Sequence, residues 1–181
     1  MYPYQDKNTP LEERVQDLLG RMTLEEKVKQ IDQYSGDEFF QFSPDGDAIA
    51  IDWEKVKNSL GNISVGSMQS RNSSAKINNE LQRYAVENTR LGIPFLFSEE
   101  ALHAFFQHGA TTYPQQIMLA STFSPELGYR MGRGIATEAR SVGIHETFSP
   151  VMDLARDPRY GRTEETFGED THCLLYTSRC V

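Results

Sequence analysis

The chain has 181 residues, with 18 Lys and Arg against 26 Asp and Glu, a formal charge of -8 and a pI near 5.0. That length suits one domain, and the acidic balance excludes binding to a phosphate backbone, which requires clustered cations. An apolar share of 38% against 24% charged residues favours a packed fold over extended disorder.

The opening MYPYQDKNTPLEERV carries neither a basic nor an apolar segment, so no signal peptide is visible, and a start at Met1 places the chain in the cytoplasm. No apolar run approaches the roughly 20 residues of a membrane span. Thr9-Pro10-Leu11-Glu12 sets a hydroxyl at the N-cap, Pro at N1 and a carboxylate at N3 of a first helix. Leu11, Val15, Leu18 and Leu19 share one face of it, and Gly20 marks its end. Thr23-Leu24-Glu25-Glu26 repeats the capping signature, with Leu24, Val28 and Ile31 as its apolar stripe. Residues 34–60 read as an acidic loop with a short helix near Trp53–Leu60.

From there strands and helices alternate. Ile63–Met68, Ile93–Phe97 and Ile144–Phe148 read as strands; helices follow the first two, over Ser74–Thr89 and from Ser124-Pro125 to Gly143. Strand–helix–strand order predicts a parallel α/β sheet. A closed barrel takes about 250 residues, so three strands by residue 148 fit part of a barrel.

In such folds sites gather at the carboxyl ends of the strands. Two polar clusters fall there: Ser98-Glu99-Glu100-Ala101-Leu102-His103, and the charged run from Asp153 to Asp170. Arg forks in the second hold carboxylates or sugar hydroxyls in fixed planes, and Tyr160 and Phe167 suit packing against an apolar sugar face. Glu99-Glu100 also suits a helix start, and His103 a hydrogen-bonded packing role. No metal-ligand spacing links His103, His108, His145 and His172. Gly-rich phosphate loops and Gly-x-Ser-x-Gly are absent, so neither a nucleotide cofactor nor a hydrolase serine is expected. Cys173 and Cys180 lie in the last nine residues, which excludes a disulfide framework for the body of the chain; a bridge between them staples only the tail.

RLGIPFLFSEEALHA, followed by TTYPQQIMLASTFSPELGYRMGRGIATEARSVGIHETFSPVMDLARDPRYGRTEETFGED, closely resembles the N-terminal barrel domain of glycoside hydrolase family 3. TPLEERVQDLLGRMTLEEKVKQI resembles that family's leader helices, so the resemblance spans 9–170. It implies an α/β fold, an incomplete (β/α)8 TIM-type barrel with its first three or so strands. Leader helices and the acidic loop then occupy 1–62, the first part of the barrel 63–170, and a tail 171–181.

The resemblance implies a retaining β-glycosidase that removes terminal non-reducing β-D-glucosyl or xylosyl residues with two carboxylates. Its partner is then a β-linked oligosaccharide or β-glucoside, with no cofactor, nucleic acid or membrane; periplasmic and secreted relatives are common in the family. Glu100, before Ala101-Leu102-His103, matches the family's binder of hydroxyls on the non-reducing sugar, and Arg162 the arginine that reaches the same subsite. Asp157 and Glu165 are expected to orient Arg162, with His103 in a supporting role. Ala104 stands where the family usually has Gly.

The family's nucleophilic Asp in a Ser-Asp-Trp-like motif, its Lys-His pair and its acid/base carboxylate have no counterpart here. Asp52-Trp53 precedes the first expected strand and is not given the nucleophile's role. The chain alone is therefore expected to be inactive. A non-catalytic sugar-binding half-barrel and a β-N-acetylglucosaminidase of the same family are the competing readings. The end of the chain resembles an in-frame translation of a sequencing-adapter end, so 171–181 is expected to be artefactual and to play no part in folding. A half-barrel is also expected to expose Phe95, Phe97 and Phe148 on its inner face, and to aggregate or be molten.

Overall fold

The computed structural model describes residues 2–178. Most of its longer helices start where a side chain can satisfy their first free amides. α1 (Leu11–Arg21) departs from this: Pro10 rather than Thr9 is its N-cap, no side chain caps it, and Gly20 lies inside it. α2 (Leu24–Gln30) has the full capping box, Glu26 N–H donating to Thr23 Oγ1 and Thr23 N–H to Glu26 Oε2. Asp52 caps α3 (Trp53–Leu60) and Ser74 caps α4 (Ala75–Asn88). After the short α5 (Gln116–Ala120), Ser124 caps α6 (Pro125–Ser141), whose Met131, Ile135 and Ala139 are buried. The last element is α7 (Thr171–Ser178).

The strands are β1 (Gln33–Ser35), β2 (Phe40–Phe42), β3 (Ala48–Ile51), β4 (Ser67–Gln69), β5 (Leu96–Glu99) and β6 (Glu146–Thr147). Among the described residues they form a parallel sheet in the order β1-β4-β5-β6, and an antiparallel hairpin of β2 with β3. Each parallel strand lies beside the next parallel strand of the chain. The order never reverses, so the sheet winds as a barrel does and not as a doubly wound sheet with a switch point.

Two expectations change. The sheet has four parallel strands, because β1 lies at the start of the segment read as an acidic loop; the hairpin occupies that segment as well. β4 and β5 sit further along than their apolar runs and β6 falls within its own, since the ladder forms only where neighbours run alongside. Ser67 pairs with Leu96, Met68 with Phe97 and Gln69 with Ser98.

Alternation across the pleat then sorts the side chains. Met68 and Phe97 are buried, with Phe97 stacked on His145 and edge-on to Phe95. Phe95 and Phe97, expected on an open inner face, are therefore core residues. The open apolar residues are Leu96, 44% exposed, and Phe148, 38% exposed.

The leader helices attach by polar contacts. Arg90 bonds both oxygens of buried Glu26, Nε at 2.8 Å from Oε1, and also donates to the Arg21 carbonyl at 2.8 Å. Gly66 N–H donates to Lys29 O, and a Cβ at Gly66 would strike the Gln30 carbonyl, so only glycine lets α2 end against the sheet. The apolar stripes, in contrast, stay open: Leu11, Val15, Leu19, Leu24 and Val28 are exposed, and Ile31 is 88% exposed.

The segment expected to play no part in folding is helical over Thr171–Ser178, and its Leu174 is buried within the core cluster. Cys180 lies outside the described residues, and with it the Cys173–Cys180 pairing.

These open stripes and unpaired strand edges make self-association the expected behaviour of the 181-residue chain at roughly 1–100 µM. Sedimentation velocity should show dimers or larger species across that range; a monomer with one sharp melt throughout would contradict it.

Candidate active-site mouth

The carboxyl ends of β4, β5 and β6 and the loops that follow them carry the chain's densest polar chemistry. β5 ends at Glu99, which is fully buried. Its Oε1 accepts from Gln69 Nε2 at 3.0 Å and from the Glu100 N–H at 2.7 Å, and Arg71 Nε approaches to 3.9 Å. Burial pushes the Glu99 carboxyl above the usual carboxylate range, partly offset by these donors.

Glu100, one residue on, is half-buried, and its carboxylate has no hydrogen-bond donor among the described residues. It borders a cavity of about 370 Å³ formed by the loop after β5, with Leu102, His103, Phe105 and Phe106 among its walls. His103 is held away from the carboxylates: its Nδ1 meets the Tyr113 carbonyl at 3.0 Å, and Tyr113 N–H donates back to His103 O at 2.7 Å. This clasp closes the loop between His103 and Tyr113 and braces the cavity wall.

After β6 the chain passes through a cis Ser149–Pro150 bond and folds on itself. Arg162 Nε and Nη2 both reach Glu165 Oε2, at 2.8 and 2.6 Å, and that carboxylate raises the guanidinium's pKa further. Glu100 acts on Arg162 through space in the same direction. Nη1 carries no hydrogen bond among the described residues, so the arginine keeps donors to offer.

Glu165, one of the two carboxylates expected to orient Arg162, bonds it in the fold. Asp157 does not: its two oxygens bond Arg159, Oδ1 to Nε at 3.0 Å and Oδ2 to Nη2 at 2.6 Å, and this pairing lowers the carboxyl's pKa. An i,i+2 ring between neighbours in a turn is a shorter closure than a reach to Arg162. The two aromatics expected at a sugar face are placed differently. Phe167 is buried in the core, and Tyr160 donates to Asp153 Oδ2 at 2.8 Å. Asp52 caps α3 and takes no part in the mouth.

The sequence reading missed Glu99 as a residue apart from Glu100. Alternation along β5 sends two adjacent carboxylates to different sides without saying which of them is buried. Among the described residues, no group of three or more His, Cys, Asp or Glu is placed to hold a metal ion.

Comparison with known proteins gives the family and the fold. Residues 23–179 match the glycosyl hydrolase family 3 N-terminal domain. A periplasmic β-glucosidase/β-xylosidase of Dickeya chrysanthemi is 35% identical over 93% of this chain and 27% of its own. The fold superposes on a β-glucosidase of Erythrobacter marinus with TM-score 0.82 and 28% identity, covering 98% of this chain and 23% of that one. A β-glucosidase of Listeria innocua, solved with glucose, matches at TM-score 0.76 and 30% identity over 94% of this chain and 23% of its own. The chain spans about a quarter of the length of these relatives, and its parallel arc is the front part of a TIM-type barrel. The chain belongs to glycosyl hydrolase family 3, within the N-terminal domain of that family.

Proposed function

We propose that this chain is the N-terminal part of a retaining β-glycosidase acting on terminal non-reducing β-D-glucosyl or β-D-xylosyl residues. The observation that carries the reading is the pairing at the mouth. Glu100 and Arg162 come from loops after successive strands, act on each other electrostatically, and both keep unused hydrogen-bonding capacity. A carboxylate and a guanidinium so arranged accept from and donate to adjacent sugar hydroxyls, the ordinary chemistry of a carbohydrate subsite. The names of the relatives, β-glucosidase and β-xylosidase, point to the same class of substrate.

Fixing the non-reducing sugar lets binding energy be spent at the anomeric carbon, where a nucleophilic carboxylate and an acid/base carboxylate act in turn. Neither carboxylate is assigned within residues 1–181, so the chain supplies part of the sugar subsite and not the chemistry.

The test is turnover of nitrophenyl β-glucoside, β-xyloside and β-N-acetylglucosaminide by the full-length enzyme and by the 181-residue chain. Hydrolysis of the first two by the full-length enzyme alone, with retained anomeric configuration by NMR, is the expected result. Turnover by the chain itself, a preference for the N-acetylglucosaminide, or sugar binding without cleavage would each overturn it.

A further inference from the structure

Glu99 stands beside the proposed subsite without belonging to it. It does not border the cavity that Glu100 borders, and it is buried where Glu100 is half-open. Its Oε1 is shared by two donors, one of which is the peptide N–H of Glu100 itself at 2.7 Å. The other, Gln69 Nε2, ties the same oxygen to the end of β4. Its own main chain is held on the far side, the Phe148 N–H donating to Glu99 O just past β6. Three successive strands therefore converge on this residue, and the first residue they fix beyond it is Glu100.

We propose that Glu99 is a positioning residue for Glu100: its carboxyl fixes the Glu100 peptide and so the direction in which the Glu100 carboxylate meets sugar and Arg162. The proposal rests on the reading of Glu100 and Arg162 as a sugar subsite.

The surroundings set the form in which Glu99 works. The charged groups facing it are Asp37 from the turn after β1, Arg71 from the loop after β4, and Glu100 on its own segment; β6 presents Thr147 in register. Arg71 is the single cation of the set, held at 3.9 Å and half-exposed, against two neighbouring carboxylates. Glu99 Oε2 has no partner among the described residues. A buried oxygen without a donor tolerates a proton far better than a charge, so burial shifts Glu99 toward the uncharged acid, whose Oε1 still accepts. Glutamine keeps that acceptor and the shape; aspartate keeps the carboxyl but falls one methylene short of the Glu100 N–H.

The experiment is steady-state kinetics and glucose inhibition of the full-length enzyme, wild type against Glu99→Gln, Glu99→Asp and Glu100→Ala. Glu99→Asp should weaken kcat/KM and glucose binding together by roughly 10–100-fold, the cost of freeing one buried amide and loosening the subsite. Glu99→Gln should restore both to within about threefold of wild type. If Glu99→Asp is as active as wild type in an enzyme that Glu100→Ala disables, or if Gln is as damaging as Asp, the proposal is wrong. If Glu100→Ala has no effect, the subsite reading fails first.

A stability measurement on the same proteins needs no activity. A native carboxyl whose pKa is raised loses stability as pH climbs from its unfolded value through its folded one, and Gln has no proton to lose. The melting temperature of Glu99→Gln should therefore gain on wild type between pH 5 and pH 8. A gap that stays constant or shrinks would show Glu99 ionised in the fold and overturn the uncharged form.

Discussion

Glu100→Ala in the full-length enzyme is expected to lower kcat/KM on nitrophenyl β-glucoside or β-xyloside by roughly 100-fold, and Arg162→Ala by a similar factor. In the proposed subsite each side chain would give charge-assisted hydrogen bonds to sugar hydroxyls, and removing one would strand its hydroxyl partner. Arg162→Lys should recover only part of the loss, remaining about 10-fold below wild type, because an ammonium cannot hold Glu165 and a hydroxyl in one plane. Glu165→Gln tests the brace: it weakens the grip on Nε and Nη2 without touching sugar. The unfolding midpoint should barely move in the Arg162 variants, since that side chain is 57% exposed. Losses below threefold for both Glu100→Ala and Arg162→Ala would remove these residues from the subsite.

The second large effect is on stability. Phe97→Ala should destabilise the fold by about 4 kcal/mol, the usual cost of emptying a buried phenyl site. Phe97 packs beside Met68 in register, stacks on His145 and meets Phe95 edge-on, so no neighbour is free to collapse into the void. Leu96→Ala, one residue away on the open side, should cost less than about 1 kcal/mol. Urea unfolding followed by the fluorescence of Trp53, the chain's one tryptophan, separates the two. Equal losses would mean that the pleat faces the other way.

The contrast between those neighbours also marks how far the sequence could be read. The run Ile93–Phe97 announces a strand, yet not which of its faces is covered, because that depends on which flank the helices take. Caps were the safest signals: Thr23 and Ser124 bond the amides their positions predict, since an N-cap is decided within four residues. Thr9 failed because Pro10 already supplies the turn into α1. β1 was illegible: Gln33-Tyr34-Ser35 is three residues with no apolar alternation, and it becomes a strand only because Ser67–Gln69 lies alongside.

The same limit governs the site. The resemblance to the family picked out Glu100, Arg162 and Glu165 as candidates, because each stands at a matching place in a motif. The partner of Asp157 was a choice between two arginines that only the turn geometry could make. Glu99 and Glu100 are the same residue type side by side, and the fold alone tells them apart, burying one and opening the other.

The unreversed strand order carries a consequence for synthesis. β1 and β6 are the two ends of the arc, and in a closed barrel each must gain a further neighbour. The strands that close such a barrel are translated after this arc. At roughly 5–20 residues per second, the edges of β1 and β6 wait several seconds for those neighbours. Until the closing strands arrive, these two edges are where a growing chain can pair wrongly.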